Sequence, residues 1–190
     1  MTWLEIGAAL FGVVSVWLST RENIWSWPTA IVNVGLYTVV FFQSRLYADM
    51  GLQVVYLLLS VYGWYQWLYG GAQHTALTVS RAPRALLAVL LGINLLAWLA
   101  LATALDRHTD AVLPWLDSLL TTTSLVAQWM MTRKLLENWL IWIAVDIVYV
   151  PMFIARQLYP TAALYAVFLG LAVIGYRDWR RSWRRHAGGA

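Results

Sequence analysis

Charge and turn residues divide this chain into seven apolar runs, and little is left once the runs are removed. They are approximately Trp3–Ser19, Trp27–Ser44, Met50–Tyr69, Pro83–Leu105, Leu113–Met131, Asn138–Arg156 and Tyr159–Tyr176. A hydrocarbon core of about 30 Å needs roughly 20 helical residues per crossing. Backbone inside that core must satisfy its own hydrogen bonds, which selects helices. The runs therefore predict an all-α integral membrane protein with seven transmembrane helices. Composition agrees, with 61% hydrophobic and 12% charged residues, against about 25% charged in a typical soluble domain. A 190-residue globule has too much surface for its volume to hide that apolar area. The absence of cysteine removes disulfide scaffolds, thiolate metal sites and cysteine nucleophiles together.

Local chemistry marks several boundaries. Pro28 and Pro160 fall in first helical turns, where the missing N–H costs nothing. Ser80 is placed to cap the fourth span ahead of Pro83. The chain opens into Trp3-Leu4-Glu5-Ile6 with no basic stretch, so no cleavable signal peptide is expected. The net charge of +4 is distributed by membrane side, which makes a nucleic-acid partner unnecessary. Arg21, Arg81, Arg84, Arg133, Lys134, Arg177, Arg180, Arg181, Arg184 and Arg185 lie on one side, and Arg45, Arg107 and Arg156 on the other. The positive-inside bias then predicts a cytoplasmic C-terminus and, with seven crossings, an external N-terminus. The acidic residues Asp106, Asp110 and Asp117 fall on the outer side.

An internal repeat organises the spans. Offset by 112 residues, Trp17–Trp67 aligns with Trp129–Trp179 without a gap and with 16 identities in 51 positions. Trp17, Thr20, Arg21 and Trp27 meet Trp129, Thr132, Arg133 and Trp139. Tyr37, Phe41, Leu46 and Tyr47 meet Tyr149, Phe153, Leu158 and Tyr159, and Gly63 and Trp67 meet Gly175 and Trp179. Each copy holds three spans, so a second copy in the same orientation requires one extra crossing. The fourth span supplies it, with only Asn94 strongly polar in its middle. The expected architecture is 3+1+3: a first bundle over 1–70, a linker helix within 71–112, a second bundle over 113–179, and a basic cytoplasmic tail over 180–190. Parallel repeats about an axis along the membrane normal are a transporter arrangement, with the substrate site near the midplane.

An ionisable side chain deep in a span is costly and points to function. Asp146 is the one candidate, midway along the sixth run with Pro151 following. Proline there frees the Ile147 carbonyl as a further acceptor. Helical spacing puts Trp142, Asp146, Tyr149 and Phe153 on one face, with Trp139 a turn earlier. A carboxylate among aromatic rings suits a flat cationic ligand, since ring faces also attract cations. A proton-carrying role and a purely structural one are the alternatives. In the third run Gln53, Tyr56, Ser60, Trp64 and Trp67 share a face, with Gly63 allowing close approach. Trp67 and Tyr69 read as an interfacial aromatic belt. Asn33 and Gln128 suit either ligand contact or interhelical hydrogen bonding, and Ala162, Ala166 and Gly170 suit helix packing. No HExxH, phosphate loop or Ser/His/Asp set is present, and His74, His108 and His186 lie in loops or the tail. No enzyme activity and no cofactor are expected. A membrane-embedded enzyme, or an assembly subunit with no transport activity, remains the alternative from another class, although no catalytic constellation supports the enzyme.

Two motifs carry a resemblance. Tyr56-x6-Gly63-Trp64-x2-Trp67 and Met131-Thr132-Arg133-Lys134-Leu-Leu-Glu137-Asn138-Trp139-Leu-Ile-Trp142, with Leu158-Tyr159 and Gly175-Tyr176-Arg177-x-Trp179, resemble the PnuC family of bacterial vitamin transporters. The resemblance implies the 3+1+3 fold shared with SWEET sugar transporters, and a place in the inner membrane. It implies facilitated diffusion of a precursor such as nicotinamide riboside, trapping by a cytoplasmic kinase, and a homotrimer. It places ligand contacts at Asn33, Gln53, Tyr56, Trp64, Asn138, Trp142 and Asp146; the residue faces add Gln128 and Tyr149. Nicotinamide riboside members tend to carry asparagine where Asp146 stands, and relatives take thiamine or riboflavin. Nicotinamide riboside and thiamine are both aromatic cations, so Asp146 does not separate them; it argues against neutral riboflavin.

Overall fold

The computed structural model describes residues 3–43, 47–108 and 113–187. Among them run seven α-helices: α1 Trp3–Thr20, α2 Ser26–Gln43, α3 Tyr47–Tyr69, α4 Arg84–His108, α5 Pro114–Thr132, α6 Asn138–Ala155 and α7 Tyr159–Ala187. Each matches one apolar run, because runs of that length have no other way to satisfy their backbone in a bilayer. Pro28 and Pro160 do sit in the first turns of α2 and α7. Arg45, Leu46 and Asp110, used above for sidedness and the repeat, lie outside the described residues. Four helices are by themselves long and apolar enough to cross a membrane: α1, α4, α6 and the segment Tyr159–His186 of α7. The other three carry more polar side chains, such as Asn33 in α2 and the stretch Thr121-Thr122-Thr123-Ser124 in α5.

Contacts recur at the offset of the repeat. Helix α1 packs on α2 and α2 on α3; α5 packs on α6 and α6 on α7. Between the halves the pairing is reciprocal, α1 against α7 and α3 against α5, while α4 lies against α5. The cause is visible in the glycines. A Cβ on Gly63 would run into the Trp27 ring, and one on Gly175 would come within 2.6 Å of the Trp139 ring. Glycine thus lets each tryptophan lie flat against the next helix. Trp27 meets Trp67 edge-on at 5.3 Å and 89°, and Trp139 meets Trp179 edge-on at 5.4 Å and 88°. Trp67 and Trp179 are themselves 5.8 Å apart. These four rings, with Val79, Met131, Leu136 and Ala172, form the principal buried cluster at the arginine-rich end.

Three expectations change. Trp67 is a core residue, 3% exposed, and not an interfacial one. Its Nε1 donates to the Met131 carbonyl at 3.0 Å, a partner that only the second half provides. Ser80 caps no helix; α4 begins at Arg84, and the Ser80 backbone instead bridges the loop after α5. Its amide donates to the Lys134 carbonyl at 3.1 Å and its carbonyl accepts from Leu136 at 2.9 Å. Finally, the basic tail is helical to Ala187. Trp179 and Ser182 are buried and Trp183 packs on the cluster, so the arginines of this segment occupy the opposite face. At 1.5 Å per residue, the 29 residues of α7 outrun a 30 Å core, and the last turns project beyond it. In the small-residue stripe only Ala162 is buried; Ala166 and Gly170 are exposed on the chain.

Candidate binding site

Asp146 stands two turns into α6 and is 3% exposed. Pro151 follows within the same helix, so the backbone near the carboxylate carries a carbonyl without its usual helical partner. Among the described residues no lysine, arginine or histidine pairs with Asp146. What surrounds it is a tyrosine cluster drawn from four helices. Tyr165 of α7 has Tyr149, Tyr56, Asp146 and Tyr37 among its neighbours. The Tyr56 hydroxyl is within hydrogen-bonding reach of Ser124, and that of Tyr149 reaches Thr121, so α5 supplies hydroxyl partners. The Tyr149 and Tyr165 rings lie 4.8 Å apart, and Phe153 stacks on Tyr149 at 5.4 Å and 8°. At the other end of the offset, Tyr37 stacks on Phe41 at 5.8 Å and 21°.

This arrangement fixes rings by ring-to-ring packing and leaves a carboxylate among them with no cationic partner among the described residues. An isolated buried carboxylate is expensive, and an aromatic cation offsets that cost on two counts, by charge and by ring contact. Tyr56, Asp146 and Tyr149 are thus brought together. The remaining candidates are dispersed. Asn33 is half-buried and its Nδ2 donates to the Ala8 carbonyl at 2.6 Å, tying α2 to α1 above Gly12. Asn138 is fully buried at the start of α6, its Nδ2 donating to the Leu135 carbonyl at 2.6 Å, while its Oδ1 has no partner. Trp142 is half-buried against the tryptophan cluster. Gln53 and Gln128 are half-buried, and Trp64, 38% exposed, lies on an outer flank of α3.

Tyr37 and Tyr165 escaped the residue-by-residue reading, though a signal for both exists. Offsetting Gln53 and Tyr149 by the repeat length lands on Tyr165 and Tyr37. A cleft of about 580 Å³ lined by Arg21, Glu22, Asp178, Arg181, Arg184 and Arg185 opens elsewhere, at the arginine-rich end, and is unsuited to a cationic ligand.

Apolar helices around a buried polar cluster define a multi-pass membrane protein of the small-solute transporter class. The chain belongs to the nicotinamide mononucleotide transporter family, whose sequence profile it matches over residues 2–181. It is 28% identical to the nicotinamide riboside transporter PnuC of Escherichia coli over 97% of this chain and 87% of that one. It is 27% identical to the riboflavin/roseoflavin transporter RibM of Streptomyces davaonensis over 93% and 84%. The crystal structure of the vitamin B3 transporter PnuC shares the fold, with a TM-score of 0.77, 23% identity, and coverage of 97% of this chain and 83% of that one. The PnuC resemblance read from the tryptophan motifs is borne out by these matches.

Proposed function

We propose that this protein carries nicotinamide riboside across the bacterial inner membrane by facilitated diffusion. The observation that carries the reading is Asp146, a buried carboxylate inside a tyrosine cluster with no cationic partner among the described residues. Nicotinamide riboside presents the complementary chemistry, a cationic aromatic ring with hydroxyl groups for Tyr56, Tyr149 and Tyr165. The name of the E. coli relative points to the same solute.

The architecture we assign is seven crossings arranged 3+1+3, with α1–α3 and α5–α7 as parallel bundles and α4 between them. The reciprocal packing of α1 on α7 and α3 on α5 supports it. The N-terminus is placed outside and the C-terminus in the cytoplasm, on the lysine and arginine asymmetry. The bundles rock about the site, a cytoplasmic kinase traps the solute, and the chain works as a homotrimer, these last two features resting on the family resemblance.

The test is uptake of radiolabelled nicotinamide riboside into liposomes containing the protein, with no ion gradient and no ATP. Equilibration is expected; none would sink the proposal. RibM, nearly as similar as PnuC, favours riboflavin as the second reading, and thiamine is the other aromatic cation to include. Accumulation driven by an imposed pH gradient would instead assign Asp146 to proton coupling.

A further inference from the structure

Helices α1 and α5 end in the same way. The Glu22 amide donates to the Ser19 carbonyl at 3.1 Å and the Asn23 amide to Leu18 at 3.0 Å. The Lys134 amide donates to Met131 at 3.1 Å and the Leu135 amide to Met130 at 3.1 Å. This paired termination places one residue in the left-handed region, a position that usually goes to glycine. Here it holds Glu22 at φ 54° and Lys134 at φ 48°. Both residues accept a backbone strain that glycine would avoid. They stand 112 positions apart, so they are the same site in the two copies of the repeat. They also meet: Lys134 Nζ lies 3.1 Å from Glu22 Oε2. The same ammonium sits 4.5 Å from the centre of the Trp67 ring, and the Lys134 side chain is only 8% exposed. Among the described residues, two further ion pairs lie at this end: Arg81 with Glu137 joins the segment before α4 to the loop before α6, and Arg181 with Asp178 stays within α7, so neither reaches the first half.

We propose that Glu22 and Lys134 form the inner gate of the transport path, an ion pair that closes the two halves at the arginine-rich end and separates in each cycle. This rests on the transporter reading given above. The pair bridges the halves at residues that differ only by the repeat offset, so a rocking motion about the axis between them acts directly on it. Holding the two ions largely out of water carries a desolvation cost, and opening to water returns that hydration, so the pair can be made and broken at small net cost. A buried pair of this kind fixes register between states better than it adds stability. It also closes over the tryptophan cluster, which fills the space between the helix ends there.

The chain contains no cysteine, which gives the test a clean background. A Glu22→Cys, Lys134→Cys variant in liposomes is bridged with a short, reducible bis-thiosulfonate reagent. Nicotinamide riboside flux is expected to fall at least tenfold and to return on reduction, with the parent protein indifferent to the reagent. Undiminished flux in the bridged protein overturns the gate. Charge reversal provides a second reading that needs no substrate. Ser60→Cys, at a buried position on α3, is expected to react faster with an impermeant thiol reagent in a Glu22→Lys background. The rate is expected to fall back when Lys134→Glu is added. Equal rates in all three backgrounds also overturn the gate. A parent protein that moves no vitamin while these labelling differences hold counts against the choice of solute, not against the gate.

Discussion

Trp67 and Trp179 face each other at 5.8 Å across the two halves, and each donates its indole N–H to a helix end of the half it does not belong to. Trp67 bonds the Met131 carbonyl at 3.0 Å, and Trp179 bonds the Ser19 carbonyl at 2.9 Å. Ser19 and Met131 are themselves one repeat apart, so the two bonds are copies of one interaction. Interhelical hydrogen bonds in membrane proteins are worth about 0.6 kcal/mol on average and up to about 1.7. Trp67→Phe and Trp179→Phe are therefore expected to destabilise by similar amounts, about 1–3 kcal/mol each once lost ring volume is included. Because the rings touch, the double variant is expected to be non-additive. Unfolding of the purified protein in detergent checks both statements.

The glycines beneath Trp27 and Trp139 make a sharper prediction. Gly63→Ala and Gly175→Ala each force a ring to move, and overpacking of this kind costs about 1–3 kcal/mol. Gly35 and Gly92, also helical, have open space around an added Cβ. Alanine there is expected to be neutral or to stabilise by about 0.5–1 kcal/mol through backbone entropy. Melting temperatures of the four variants separate packing from propensity.

Asp146→Asn keeps size and removes charge. Losing one member of a buried charge pair costs about 2 kcal/mol or more, roughly 30-fold in affinity. Binding of nicotinamide riboside and thiamine is expected to weaken by that order, and binding of neutral riboflavin to change little. Calorimetric titration with the three vitamins reads the difference; an equal loss for all three removes the counter-ion role.

The gate lysine carries a pH signature. Burial pushes the Lys134 ammonium below the ordinary lysine range, and the attraction of Glu22 only partly restores it. Between that lowered value and about 10.4, the unfolded chain binds more protons than the folded one. Stability contributed at this site therefore rises as pH rises through the window. Wild type is expected to gain stability relative to Lys134→Met across the alkaline range, and the difference to flatten below it. Thermal melts in a pH series measure the slope.

The helices were legible because a bilayer leaves an apolar run of 18 or more residues few alternatives. Residue identity singled out Asp146, Tyr56 and Tyr149 on two different runs, since a charge or hydroxyl at depth stands out against leucine, and the fold brings them into one cluster. Trp67 misled for the same reason. A tryptophan at the end of an apolar run looks interfacial, and its true partner, Met131, is 64 positions away. The arginines of 180–185 hid the buried face of Trp179, Ser182 and Trp183 behind an excess of charge. Tyr165 carries no mark of its own in sequence and becomes visible only through its repeat partner, Gln53.

The segment between α3 and α4 has one mechanical consequence. The Leu77 amide donates to the Trp67 carbonyl at 3.1 Å, which anchors it to the first half. The Ser80 amide and carbonyl are bonded to Lys134 and Leu136, and the Ala82 amide donates to Glu137 at 2.8 Å, which anchors it to the second. Helix α4 lies against α5, on the side of the second half. The chain therefore crosses from the anchors of the first half to those of the second within Thr78 and Val79, so the rocking proposed above would turn on this dipeptide, with three helices before it and four after.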